Sequence, residues 1–313
     1  MSNMSQILAV FGATGHQGSS VVRYVLNDPE LSKEYKIRAV TRDVNSEKSK
    51  QLKERVEVFQ GDVLDRASLE AALTGVRTVF SMTTPDFGPN ALEVEYENGK
   101  RIADVAVEKG AKYIIFSTLP PASEISGGKY TRITPFDAKA KVEKYIRGLP
   151  IKSAFYCPGY FMEDFQSQMF LCAKKAADGT WVVTRNVPST ALMPVIDAVG
   201  DSGKFVGAIL AEPEKFEGKV FCAAILYSWD EIVAALSRAT GKTITFKQVS
   251  PEEFEEALPG FQKRFGEAFL YQEEFGGFYG PETRQMIHWA AENVRGKLTT
   301  FDEFLKSHPV HLE

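Results

Sequence analysis

The chain has 313 residues, a net charge of −4, and a composition 44% hydrophobic and 25% charged. That balance suits a folded soluble protein with a sizeable core, in one large unit or one unit plus a smaller one. The basic residues are scattered, which argues against direct nucleic-acid binding, and no apolar run is long enough to span a bilayer. Three cysteines (Cys157, Cys172, Cys222) give no disulfide framework, and Cys157 and Cys222, in the apolar runs AFYCPG and VFCAA, read as buried core thiols. His16, His288, His308 and His311 have no metal-ligand spacing. The opening MSNMSQ lacks the basic and apolar pattern of a signal peptide, so the expected setting is the cytoplasm, with the nucleus left open although no basic localisation run stands out.

Six strands are predicted in the first half: Gln6–Phe11, Lys36–Thr41, Val56–Phe59, Thr78–Met82, Lys112–Ser117 and Ile151–Cys157. Helices are predicted between them at His16–Leu26, with apolar residues at helical spacing, at Asp65–Leu73, opening at the acidic Asp65, and at Glu93–Lys109 and Phe136–Arg147, stopped by Gly110 and Gly148. This alternation predicts a doubly wound parallel α/β sheet covered on both faces. After Pro158 the rhythm weakens to mixed loops, single strands such as Lys219–Ala224 and acidic helices such as Pro251–Leu258. Residues 1–157, completed by part of 190–226, are expected to form the main unit. Residues 158–189 and 227–313 are expected to form a smaller α/β unit capping the carboxyl edge of the sheet. A lysine cluster from Lys139 to Lys144 reads as a solvated helix face.

The strongest motif ends the first strand: Gly12-Ala13-Thr14-Gly15-His16-Gln17-Gly18. Gly12 permits a tight turn, Gly15 lets the backbone approach a pyrophosphate, and Gly18 allows the helix to pack against the strand. The helix N-terminus then presents free N–H groups to phosphate. The second strand ends Thr41-Arg42-Asp43, with threonine where an NAD-binding chain places an acid for the ribose 2′-hydroxyl. Arg42 suits a 2′-phosphate instead, which predicts NADP(H) in preference to NAD(H); the alternative is a surface pairing with Asp43 or Asp65. After the third strand, Asp62 is either an acceptor for an adenine amine or a turn former, with Val63 over the ring.

The segments GATGHQG, VTRD, QGDVLD, VFSMTTP, PFDAKAKVEKYI, CPGYFMEDF, ALMPVIDAVGDSGKFVGAIL and LTTFDEFLKSHP together resemble the NmrA-like family, an atypical branch of the short-chain dehydrogenase/reductase superfamily, over essentially the whole chain. The resemblance implies a Rossmann domain with a smaller α/β domain, NADP(H) as ligand, and for several members a regulatory role through partner proteins. It implies cofactor contacts from Gly12 to Gln17 and at Arg42, Asp62, Val63, Thr83, Thr84, Pro85, Lys139, Tyr160, Phe161 and Met162. Where some relatives carry a second lysine after the fourth strand, this chain is read as having Glu97.

In catalytic relatives a Tyr-x-x-x-Lys pair shares one helix face, and the phenol exchanges a proton with substrate. Here the residue four before Lys139 is Pro135, which carries no proton. Lys139 is read as a ribose-binding lysine, against a solvated helix lysine; Ser117 or Thr118 occupies the usual serine place. The expected function is therefore an NADP(H)-binding redox sensor read by a partner protein. The alternative is a reductase of a small carbonyl, enone or imine compound with a non-standard proton donor, for which Tyr130, Tyr156 and Tyr160 are candidates. The aromatic stretch Phe261–Tyr279 either lines a substrate pocket or covers the core.

Overall fold

The computed structural model describes residues 5–167, 171–258, 260 and 263–312. Its strands in chain order are β1 (Gln6–Phe11), β2 (Tyr35–Thr41), β3 (Glu57–Gln60), β4 (Thr78–Ser81), β5 (Tyr113–Ser117), β6 (Lys152–Pro158), β7 (Tyr160–Phe161), β8 (Lys174–Lys175), β9 (Trp181–Arg185), β10 (Leu192–Ile196), β11 (Val220–Ala223), β12 (Ile225–Ser228) and β13 (Ile244–Gln248). Seven of them form the central sheet in the order β11-β6-β5-β4-β1-β2-β3. Every neighbouring pair in that sheet is parallel. The order runs outward from β1 in both directions, so the crevice at the carboxyl ends of β1 and β4 is a topological switch point, where open α/β sheets bind ligands.

The strand period of two divides the core. Leu8 and Val10 of β1 pack with Val21, Val25, Phe205 and Ile209 from the helices His16–Asn27 and Ala198–Ala211. Ala9 and Phe11 pack on the other face with Ile102, Val105, Val142 and Ile146 from the helices Ala91–Glu108 and Thr134–Arg147. Burial on both faces explains why the central strands β1, β4 and β5 read as nearly continuous apolar runs, whereas the edge strand β3 (EVFQ) is half exposed.

The expected elements are present with small shifts at their ends, and the structure adds the helices Leu31–Glu34, Glu47–Lys53 and Ala198–Ala211, which were not expected. Asp65 is the N-cap of Arg66–Leu73, its carboxylate accepting from the Ala67 and Ser68 N–H groups, so the helix proper starts one residue later. Thr134–Arg147 starts two residues before Phe136, because Pro135 fits the first turn, where its missing N–H costs nothing.

The smaller sheets β12-β10-β7 and β13-β9-β8 surround a separate core of Met162, Phe165, Met193, Val195, Trp229 and Phe269. β7 is a two-residue strand paired in parallel with Val195 and Ile196 of β10. The turn from β6 through β7 therefore carries the chain from the central sheet into the second core. No helix among the described residues is long and apolar enough to cross a membrane.

Candidate functional site

The glycine loop is built by close backbone contact. Gly12 has a φ of 61°, and the Gly15 N–H donates to the Gly12 carbonyl at 2.8 Å. A Cβ on Gly18 would lie 2.2 Å from that same carbonyl oxygen, whereas one on Gly15 would lie 3.3 Å from it. Gly18 is thus the packing glycine, while Gly12 and Gly15 are exposed. Gly15 is the N-cap of His16–Asn27 with no side-chain cap bond, and the first turn has no acidic residue. Its N–H groups and positive dipole end face outward unneutralised.

A groove of about 610 Å³ runs along this loop, lined by Gly12, Thr14, Gly15, Thr41, Arg42, Val63, Thr83 and Thr84, with Ser46 and Lys48 beyond Arg42. Arg42 is exposed and has no ion pair or side-chain hydrogen bond among the described residues. The surface partners considered for it are engaged elsewhere: Asp43 Oδ1 accepts from the Asn45 N–H at 2.8 Å, and Asp65 caps its helix. Asp62 does not line the groove. Its Oδ1 accepts from the Leu64 N–H at 2.9 Å, the geometry of a turn former.

Thr83 also lines a second cavity of about 270 Å³, with Gln17, Pro85, Ser117, Thr118, Pro135, Lys139, Tyr160, Phe161 and Asp164. Its remaining walls are mainly apolar: Phe87, Leu119, Ile133, Phe136, Phe265 and Phe278, with Arg264 among them. Gln17 Oε1 is buried and has no hydrogen-bond partner among the described residues. A buried acceptor without a donor is costly, so this atom favours a ligand that brings an N–H or O–H.

Lys139 is not on a solvated face. It is 7% exposed and forms an ion pair with Glu95, itself 1% exposed. Its Nζ also donates to Thr83 Oγ1 at 3.1 Å and to the Thr83 carbonyl at 3.3 Å, while Thr83 Oγ1 donates to Glu95 at 2.6 Å. Burial pulls the Lys139 ammonium below its ordinary value, and the Glu95 carboxylate opposes that. Glu95, not Glu97, is thus the helix residue that faces the lysine.

The structure separates the three candidate tyrosines for proton transfer. Tyr156 is fully buried with its hydroxyl 2.8 Å from Ser202 Oγ, and Tyr130 donates to Glu274 at 2.6 Å. Only Tyr160 lines the cavity, where its hydroxyl accepts from Gln272 Nε2 at 2.8 Å. Of the serine and threonine after β5, Thr118 donates to Glu143 at 2.7 Å and Ser117 is buried. Asp164 is partly buried, and burial together with neighbouring Glu163 pushes its carboxyl up to about 6.

The remaining expected contacts lie outside both cavities. Ala13 is fully buried, Gly18 is inside the loop packing, and exposed His16 meets Phe161 edge-on with ring centroids 5.9 Å apart. Met162 is fully buried in the second core, because β7 is so short that its next side chain already turns inward. In the aromatic stretch, Phe261 and Gln262 lie outside the described residues. Phe265 and Phe278 line the cavity, whereas Phe269 and Tyr271 are core residues. Sequence reading missed Glu95, Asp164, Phe87 and Arg264. Glu95 did leave a signal: it lies on the buried stripe Ala91, Glu95, Gly99, Ile102, Ala106, where a charge needs a partner.

Comparison with known proteins agrees with this architecture. A model of the NmrA-like family matches residues 4–305. An NmrA-like family domain-containing protein of Dictyostelium discoideum is 29% identical over 97% of this chain and 98% of its own. The NmrA-like family domain-containing oxidoreductase FrzB of Cladobotryum sp. is 30% identical over 79% and 77%. Among solved structures, Nmra, a negative transcriptional regulator, in complex with NADP superposes with a TM-score of 0.80 at 23% identity, covering 97% of this chain and 95% of that one. With the family model spanning nearly the full length and the fold matching throughout, the chain belongs to the NmrA-like family.

Proposed function

We propose that the protein is an NADPH-dependent reductase of an apolar, ring-bearing carbonyl, enone or imine compound. The observation that carries this reading is the apolar cavity beside Lys139, joined to the phosphate-loop groove at Thr83. A dinucleotide laid along the groove would direct its reactive end toward a space sized for a small substrate.

The residues fit that nucleotide. The loop Gly12–Gln17 and the following helix N-terminus would hold the pyrophosphate, Arg42 the 2′-phosphate and Val63 the adenine. Thr83, Thr84, Pro85, Tyr160 and Phe161 would border the nicotinamide half, where Gln17 Oε1 lacks a donor. The three N–H groups of Lys139 already meet Thr83 and Glu95, so a ribose hydroxyl would replace one of the longer Thr83 contacts. Bound NADPH supplies a hydride; the chain supplies the dry cavity and a positioned proton. The names of the oxidoreductase relatives support the same reading.

A regulatory reading is favoured by Pro135 in place of the usual tyrosine and by the name of the structural relative Nmra, a negative transcriptional regulator, and would need a partner protein that senses nucleotide occupancy. A single-turnover assay of NADPH absorbance against a panel of aromatic carbonyls, enones and imines separates the two. Oxidation faster than about 1 s⁻¹ is expected for the reductase. No oxidation, with the loops after Ser81 and Pro158 protected from proteolysis on binding, would give the regulatory reading instead.

A further inference from the structure

A reductase without the tyrosine dyad still has to deliver a proton, and the cavity walls offer few donors. Lys139 is held by Glu95 and Thr83, and Tyr130 and Tyr156 are bonded elsewhere. Asp164 remains. Its chain neighbours are committed to structure: the Met162 N–H donates to the Ile196 carbonyl at 2.8 Å, and Phe165 is in the second core. Glu163 turns the other way and accepts from the Ala198 and Val199 N–H groups at 3.2 and 2.7 Å. These contacts pin the turn from both sides, and Asp164 lies among the residues of the cavity wall. Among the described residues it has no ion pair or side-chain hydrogen bond.

We propose that Asp164 is the proton donor of the reduction. The inference rests on the reductase reading above. When a hydride adds to a carbonyl carbon, the C=O π pair moves to oxygen. The Asp164 O–H bond then breaks, the proton goes to that oxygen, and an alcohol and NADP⁺ result. Water at the cavity mouth reprotonates the carboxylate, so the net reaction consumes one NADPH and one proton.

The surroundings suit the role. A carboxyl in an apolar wall without a bonded cation favours its protonated form. The charged groups near it are Glu163 on its own turn, Lys139 and Arg264 on the cavity walls, and titratable His16 against Phe161. Glu163 acts in the same direction as burial, and the carboxyl sits at about 6, matched to proton transfer near neutral pH. The Tyr160 phenol, which burial pushes upward, is a poorer acid.

Two measurements on the full chain test this. In protein labelled with ¹³Cγ-aspartate, with Asp164→Asn giving the assignment, the Asp164 resonance should titrate near 6. A midpoint in the ordinary aspartate range overturns the proposal whatever the activity. In single turnover, Asp164→Asn should leave NADPH affinity unchanged and slow oxidation by about 10²–10⁴-fold, with partial recovery in Asp164→Glu. The wild-type rate should fall as pH rises through 6, and that limb should vanish in the asparagine variant. A wild-type rate retained in Asp164→Asn, or a larger loss in Tyr160→Phe, overturns the assignment alone. No turnover by the wild-type protein removes the reductase reading and this inference with it.

Discussion

Lys139 and Glu95 meet as a buried ion pair across the floor between the nucleotide groove and the apolar cavity, from two helices that pack on the same face of the sheet. Thr83, at the exit of β4, touches both side chains and lines both spaces. Burial pulls the lysine below its ordinary value and the carboxylate opposes that pull, beside the place where ribose hydroxyls are expected. In this chain the lysine comes with its own counter-ion.

Glu95→Gln keeps the size and the hydrogen-bonding of the side chain and removes its charge. Lys139 is then a buried cation without a partner, so a loss of about 3–5 kcal/mol in unfolding free energy is expected. The double variant Lys139→Met, Glu95→Leu should recover much of that stability, because it removes both charges at once. It should not recover NADPH binding. Denaturant melts and calorimetry on the same three proteins check this; binding restored together with stability would mean that the pair is structural only.

Arg42 stands exposed on the groove wall with no competing carboxylate bonded to it. Arg42→Ala should cost about 1.5–3 kcal/mol in NADPH binding, roughly ten- to a hundredfold, and leave NADH nearly unchanged. Equal losses for both nucleotides in calorimetry would remove the 2′-phosphate assignment.

Most of the sheet was legible because its central strands are short apolar runs and the helices Ala91–Glu108 and Thr134–Arg147 end at glycines, both local features, whereas the connecting helices Glu47–Lys53 and Ala198–Ala211 were not read. The glycine loop was legible for the same reason: Gly12, Gly15 and Gly18 lie within one turn of chain. The site beyond the loop was not, since Glu95 and Asp164 acquire meaning only through residues far away in sequence. Three glutamates, Glu93, Glu95 and Glu97, look alike in one helix, and only the packing of Thr134–Arg147 against it selects Glu95. Met162 differs in the opposite sense: it sits beside Tyr160 and Phe161 in the sequence, yet β7 lasts only two residues and its side chain is buried in the second core.

The loop glycines should separate by role. Gly15→Ala adds a methyl 3.3 Å from the Gly12 carbonyl, a tight contact that small shifts absorb, so the fold should persist while both nucleotides bind more weakly. Gly18→Ala brings the methyl to 2.2 Å from the same oxygen, and that atom is backbone. This variant should lose stability as well as binding, by roughly 1–3 kcal/mol as for other overpacked sites. Thermal melts that fall equally for both variants would contradict the distinction.

The last expectation is a stability effect of Asp164 that needs no substrate. Its carboxyl lies near 6 in the folded protein against 3.8 for the ordinary group. Below the lower value both states hold the proton and the residue has no net effect. Between the two, the unfolded chain releases its proton first, so the folded state binds more protons and stability falls as pH rises. Above 6 the penalty is complete. A shift of that size corresponds to at most about 3 kcal/mol, and to less because the carboxyl is only partly buried. Asp164→Asn carries no titrating group, so the difference between variant and wild type isolates this residue from every other acid. Asp164→Asn should therefore gain stability relative to wild type between pH 4 and pH 7.5, by about 1–2 kcal/mol. Urea melts of both proteins at the two pH values measure it. A difference that stays constant with pH would mean that Asp164 is ionised at an ordinary value in the folded protein, and that the cavity wall holds no acid suited to donating a proton near neutrality.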